Sequence, residues 1–130
     1  MVKGVKYVFK IPVEDIIEEY FEFRTGVRQK QPRVEKTLIL TYDRTQAIEV
    51  MKDIYDNADN TNIECFRMDK NKIELRFTNG NSIIWLNPES TARGYKFTKI
   101  LVDRNMKKKD LLRNLDIWAI FCCKDDISVI

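Results

Sequence analysis

The sequence predicts one α/β domain over residues 1–130, with a central mixed sheet that is mostly parallel in its core strands, helices on its faces and a β-hairpin at its edge. Three observations carry this expectation. Apolar residues recur at helical spacing in three segments, short apolar runs of strand length stand between and after them, and Asn79-Gly80 separates two extended segments as a hairpin turn does. With 44% hydrophobic residues in a chain of 130, there is enough apolar surface for one core and little room for a second.

At the start of the chain, Val5, Tyr7 and Phe9 alternate with Lys6, Val8 and Lys10, as in a short strand. Val13, Ile16, Ile17, Tyr20 and Phe21 then mark one face of an amphipathic helix, and Pro12 suits its first turn. The opposite face is acidic, with Glu14, Asp15, Glu18, Glu19 and Glu22. From Arg24 to Glu35 the periodicity stops, and Gly26, Gln29, Gln31 and Pro32 among the basic residues predict a polar loop. The run from Thr37 to Tyr42, centred on Leu38-Ile39-Leu40, has the composition of a strand buried on both faces. Asp43 with Gln46 predicts a capping box at the start of a helix, whose buried stripe is Ala47, Ile48, Met51, Ile54, Tyr55 and Ala58. Asn57, Asp59, Asn60 and Asn62 end it. Three extended segments follow: 63–68, 72–78 and 82–86, and in the second Ile73, Leu75 and Phe77 alternate with Lys72, Glu74 and Arg76. Asn87-Pro88 closes the last of them, and a loop over 89–95 leads to the strand-like run 99–103. Leu111, Leu112, Leu115, Trp118, Ala119 and Cys122 mark a final helix, after which Ile127-Ser128-Val129-Ile130 adds a terminal strand.

Composition removes several function classes. Histidine is absent, which excludes His-dependent triads and imidazole zinc sites. Cys65, Cys122 and Cys123 lack metal-ligand spacing, and an odd cysteine count without a secretory signal predicts reduced thiols in a host-cell cytoplasm. Cys65, in a strand-like run, reads as a small core residue. The longest apolar cluster, Ile117 to Cys123, is far shorter than the roughly 20 residues that cross a bilayer, so no membrane contact is expected. Lys3, Lys6 and Lys10 interrupt any signal-peptide core.

Net charge is only +3, so the placement of the cations matters more than their number. One stripe runs Arg24, Arg28, Lys30, Arg33 and Lys36, and a second runs Arg104, Lys107, Lys108, Lys109 and Arg113. Each reads either as a solvated face or as a row of phosphate contacts. Between them, Tyr95 and Phe97 interleave with Arg93, Lys96 and Lys99, a mixture that suits base stacking with phosphate neutralisation but also a plain connecting loop. Trp85 and Trp118 lie on apolar faces and read as core.

The stretch Phe77-Thr78-Asn79-Gly80-Asn81-Ser82-Ile83, followed by Arg93-Gly94-Tyr95 and then Ile100-Leu101-Val102-Asp103, resembles the middle of the ATPase domain of phage terminase large subunits and related superfamily 2 ATPases. There a hairpin reading F-x-N-G-S-x-I precedes an R-G segment and an apolar strand ending in the Walker B Asp-Glu. Leu38-Ile39-Leu40-Thr41-Tyr42 with its capped helix is similar to the strand and helix that follow the P-loop helix in that family. The resemblance covers about residues 37–105. It implies a P-loop-ATPase-like but truncated fold with Asp103 as a Walker B-like acid, the one metal ligand if Mg²⁺ is bound. Two departures stand against turnover: Arg104 occupies the Glu position, and no G-x-x-x-x-G-K-[ST] occurs, so Mg-ATP is not expected as a cofactor.

The resulting expectation is a non-catalytic phage or prophage protein with a degenerate terminase-like core. It would bind nucleic acid, or a viral ATPase or DNA-packaging partner, through Arg24, Arg28, Lys30, Arg33, Arg93, Tyr95, Lys96, Lys99, Arg104, Lys107 and Lys108. The alternative is a small phage-encoded interaction protein that inhibits or decoys a host protein, with Glu14, Glu18, Glu19 and Glu22 as the contact. A third reading is an ATPase completed by a partner chain, which would need Asp103.

Overall fold

The computed structural model describes residues 11–22, 34–41, 43–87 and 95–130. The expected strand over Val5–Phe9, most of the basic loop after Arg24, and Arg93 lie outside those residues. Helix α1 (Val13–Glu22) buries Val13, Ile16, Ile17 and Tyr20, the stripe its spacing predicts. Strand β1 (Lys36–Leu40) leads into helix α2 (Arg44–Asn57), where the Asp43 side chain accepts a hydrogen bond from the Thr45 N–H at 2.9 Å. The cap is real, but its bond goes to Thr45 rather than Gln46. Strands β2 (Ile63–Met68), β3 (Lys72–Phe77) and β4 (Ser82–Leu86) form an antiparallel meander. Strand β5 (Lys99–Val102), helix α3 (Lys108–Trp118) and strand β6 (Ile127–Val129) complete the chain, with a 3-10 turn over Ala119–Phe121 prolonging α3 as far as Cys122.

The six strands make one mixed sheet in the order β2-β3-β4-β1-β5-β6. Strands β4, β1, β5 and β6 run parallel, with Leu38 between Ile84 and Ile100. The mixed sheet with flanking helices predicted from sequence is therefore present, and its core strands are parallel. Its edge is β2, one strand beyond the Asn79-Gly80 hairpin, so β4 is an interior strand. In that hairpin Gly80 has φ +92°, its N–H donates to the Phe77 carbonyl, and Phe77 N–H donates to the Asn81 carbonyl. This is a three-residue loop whose left-handed position glycine occupies without strain.

Helices cover both faces. On one, α2 packs Ala47 and Met51 against Ile39, Ile73, Leu75 and Trp85. On the other, α1 and α3 pack against Leu38, Leu40, Ile84, Leu86, Ile100 and Val102. Both tryptophans are core, as predicted. Tyr20 adds a buried hydrogen bond across the helix pair, its hydroxyl donating to the Leu115 carbonyl at 3.1 Å.

Candidate functional site

Alternation along β3 splits its side chains between two environments. Ile73 and Leu75 enter the core under α2, so Lys72, Glu74 and Arg76 must point to the other face. The core beneath α1 and α3 contains no residue of β2 or β3. Across the register, Glu74 lies beside Ile84 on one side and Arg67 on the other, and Arg76 lies beside Ser82 and Cys65. The face thus changes from apolar to charged between β4 and β3. Cys65 belongs to this charged half and is only half-buried, which corrects its reading as a core residue.

Glu74 is the pivot. It is 7% exposed, and its carboxylate accepts from Arg76 at 3.3 Å on each oxygen while Lys72 Nζ stands at 3.6 Å. The cations lie nearer the solvent, with side chains 34% exposed for Lys72 and 45% for Arg76. A carboxylate beneath two cations satisfies the rule that buried charge must be paired. Tyr95 borders the charged half on the apolar side. Its ring stacks on Phe97 at 5.5 Å between centroids, meets Trp118 edge-on, and carries Lys72 Nζ at 5.3 Å and Lys36 Nζ at 6.0 Å from its centroid. The Tyr95 ring beside the Lys72 ammonium and the Glu74 charge raise the Lys72 pKa against the opposing effect of burial. Arg76 is likewise held in its charged form, chiefly by its hydrogen bond to Glu74, with a further contribution from Glu64.

The second basic stripe has a different fate. Arg104 donates to Glu14 at 2.6 Å, Lys108 pairs with Glu19 at 3.3 Å, and Lys124 pairs with Glu18. Two cations of the stripe, Arg104 and Lys108, thus face acids of α1, and a third, Arg113, meets Asp110 of α3 at 3.8 Å. Lys99 is paired with Glu35, whose hydrogen bond raises the Lys99 pKa. Lys96 and Lys107 are exposed.

Asp103 closes β5 beside the end of β1, where strand order reverses: β1 continues into α2 on one face and β5 into α3 on the other. Such a switch point is where open α/β sheets bind ligands. Asp103 N–H donates to the Leu40 carbonyl, and Oδ1 accepts from the Asn105 N–H at 3.0 Å. Oδ2 is buried with no hydrogen-bond partner among the described residues. Arg104, its neighbour in sequence, directs its guanidinium to Glu14. No group of three or more acidic or cysteine side chains that could hold a metal ion occurs among the described residues.

Of the predicted site residues, Arg24, Arg28, Lys30, Arg33 and Arg93 lie outside the described residues. Tyr95 is brought to Lys36 and Lys72, whereas Lys99, Arg104 and Lys108 are engaged by acids of the same chain. Lys72, Glu74, Arg76 and Arg67 were not among the predicted contacts. The alternation of Lys72, Glu74 and Arg76 with Ile73 and Leu75 is legible in sequence, but it reads as an ordinary solvent face until the sheet order is known. No family model, curated protein or solved structure matches the chain.

Proposed function

We propose that this chain is a non-catalytic nucleic-acid-binding module of phage or prophage origin, built on a trimmed P-loop-ATPase-like core of the terminase kind. The hairpin formed by Phe77 to Ile83, the strand Lys36–Leu40 with its capped helix, and the strand ending at Asp103 support the structural half of that reading. The observation that carries the binding half is how the cations are sorted. In the stripe around α3, Arg104 and Lys108 are each engaged by an acid of α1. On the sheet face, by contrast, Lys72 and Arg76 share the single carboxylate of Glu74, Arg67 lies beside it on β2, and Lys36 and Lys72 lie against the Tyr95 ring. Phosphates are bound where cations outnumber the local acids. The same sorting disfavours the decoy reading, because Glu14, Glu18 and Glu19 are occupied within the chain.

The test is binding of the intact chain to labelled single-stranded and duplex DNA and RNA across a salt series, with and without ATP and Mg²⁺. The expected result is ATP-independent affinity that falls steeply with salt. Lys36→Ala with Lys72→Ala should weaken it about tenfold and reduce the log-log salt slope by roughly 0.7 per lost contact on a single strand. Arg104→Ala with Lys108→Ala should change it less than about twofold, because exposed paired charges contribute little. No binding at low salt overturns the nucleic-acid reading and leaves a protein partner, the packaging ATPase or a host protein, as the ligand.

A further inference from the structure

We propose that Lys72 and Arg76 form a preorganised phosphate clamp and that Glu74, the only acid between them on β3, is its positioning residue. This rests on the nucleic-acid reading above and assigns its central contact, a phosphodiester of a single strand. Lys72 and Arg76 are four residues apart on one strand, so their backbones are separated by about 13 Å. Their charged ends nevertheless both lie within 3.6 Å of the Glu74 carboxylate. Both side chains therefore lean inward along the strand. Two cations so close would otherwise repel, swing apart and regain the rotamer freedom of long side chains.

The donor count leaves the clamp open towards solvent. Lys72 stands 3.6 Å from Glu74, an ion pair beyond hydrogen-bond distance, so its N–H donors are not consumed by the carboxylate. Arg76 meets Glu74 through Nη2 alone and retains the Nε and Nη1 donors for a phosphate. The carboxylate is buried and the cationic ends are exposed, so an incoming anion meets the cations first. Tyr95 fixes Lys72 from the side, and its ring is itself held by the stack on buried Phe97. Groups already held in their bound arrangement give up less entropy on binding.

This arrangement makes a prediction that charge counting reverses. If Glu74 merely dilutes the positive field, Glu74→Gln should tighten binding to a polyanion. If Glu74 positions the clamp, the same substitution should weaken it although a negative charge has been removed. The experiment measures binding of a labelled oligothymidylate to the wild-type chain and to Glu74→Gln, with thermal melts of each. Inorganic phosphate and chloride are compared as competitors at matched ionic strength. The expected results are about fivefold weaker binding for Glu74→Gln and stronger displacement by phosphate than by chloride. Tighter or equal binding by Glu74→Gln, or equal displacement by the two anions, overturns the clamp and leaves the nucleic-acid reading standing. Absence of wild-type binding overturns both. Should Glu74→Gln fail to fold, the displacement measurement on the wild-type chain decides, and equal displacement by phosphate and chloride overturns the clamp.

Discussion

Beneath α1 and α3 the sheet presents Leu38, Leu40, Ile84, Leu86, Ile100 and Val102, whereas across β3 the same face presents Lys72, Glu74 and Arg76. The difference follows from how the strands are connected. Parallel neighbours need crossovers, and a crossover brings a helix that covers the strands it joins. Strands β2, β3 and β4 are antiparallel and joined by short turns, so their connections bring no helix to this face. On the covered half, side chains serve stability. On the meander half they are left to meet solvent, a partner or a ligand.

The largest expected effect breaks the comparison if it fails. Leu38→Ala, at a fully buried position of the covered half, should cost about 3 kcal/mol in urea denaturation while the folded fraction keeps its nucleic-acid affinity. Gly80→Ala comes next. It forces a side chain into φ +92° and brings a Cβ to 3.2 Å from Val34 Cγ1, so a loss of about 1–2 kcal/mol is expected in a thermal melt. Because the hairpin sets Arg76 against Ser82, binding should weaken with it.

Smaller effects sharpen the contrast. Tyr20→Phe removes a buried hydrogen bond on the covered half, but Ala119 N–H still satisfies the Leu115 carbonyl, so about 0.5 kcal/mol is expected. Lys72→Met, on the charged half, should change stability by no more than about 0.5 kcal/mol. A loss as large as that of Leu38→Ala would erase the distinction. The acidic face of α1 gives the smallest term. Glu18 is lowered from 4.5 first by its hydrogen bond to Lys124. Glu14 is lowered first by a backbone hydrogen bond and further by Arg104. Groups with depressed folded pKa values contribute fully above pH 4.5, and that contribution disappears as pH falls through the folded values. Glu14→Gln with Glu18→Gln should therefore lower Tm slightly near neutral pH, leave it unchanged below the folded pKa values, and so flatten the acid limb of Tm against pH.

Local signals account for most of the elements. The stripe Val13, Ile16, Ile17 and Tyr20 requires an amphipathic helix, the alternation on β3 requires one buried face, and Asn79-Gly80 requires a turn, because each depends on residues only a few positions apart. The charged stripes were equally visible, but what they do was not. Arg104 meets Glu14 from 90 residues away and Lys124 meets Glu18 from 106 away, while Tyr95 finds Lys36 and Lys72 on two different strands.

The amino-acid sequence by itself determined the strands, the helices, the mixed α/β class and the position of Asp103 at a strand end, since periodicity and turn chemistry are local properties. Only the tertiary structure decided which cations are neutralised and which gather around Glu74. Coulombic attraction acts through space, and the distances that govern it are set by the strand order β2-β3-β4-β1-β5-β6 rather than by separation along the chain.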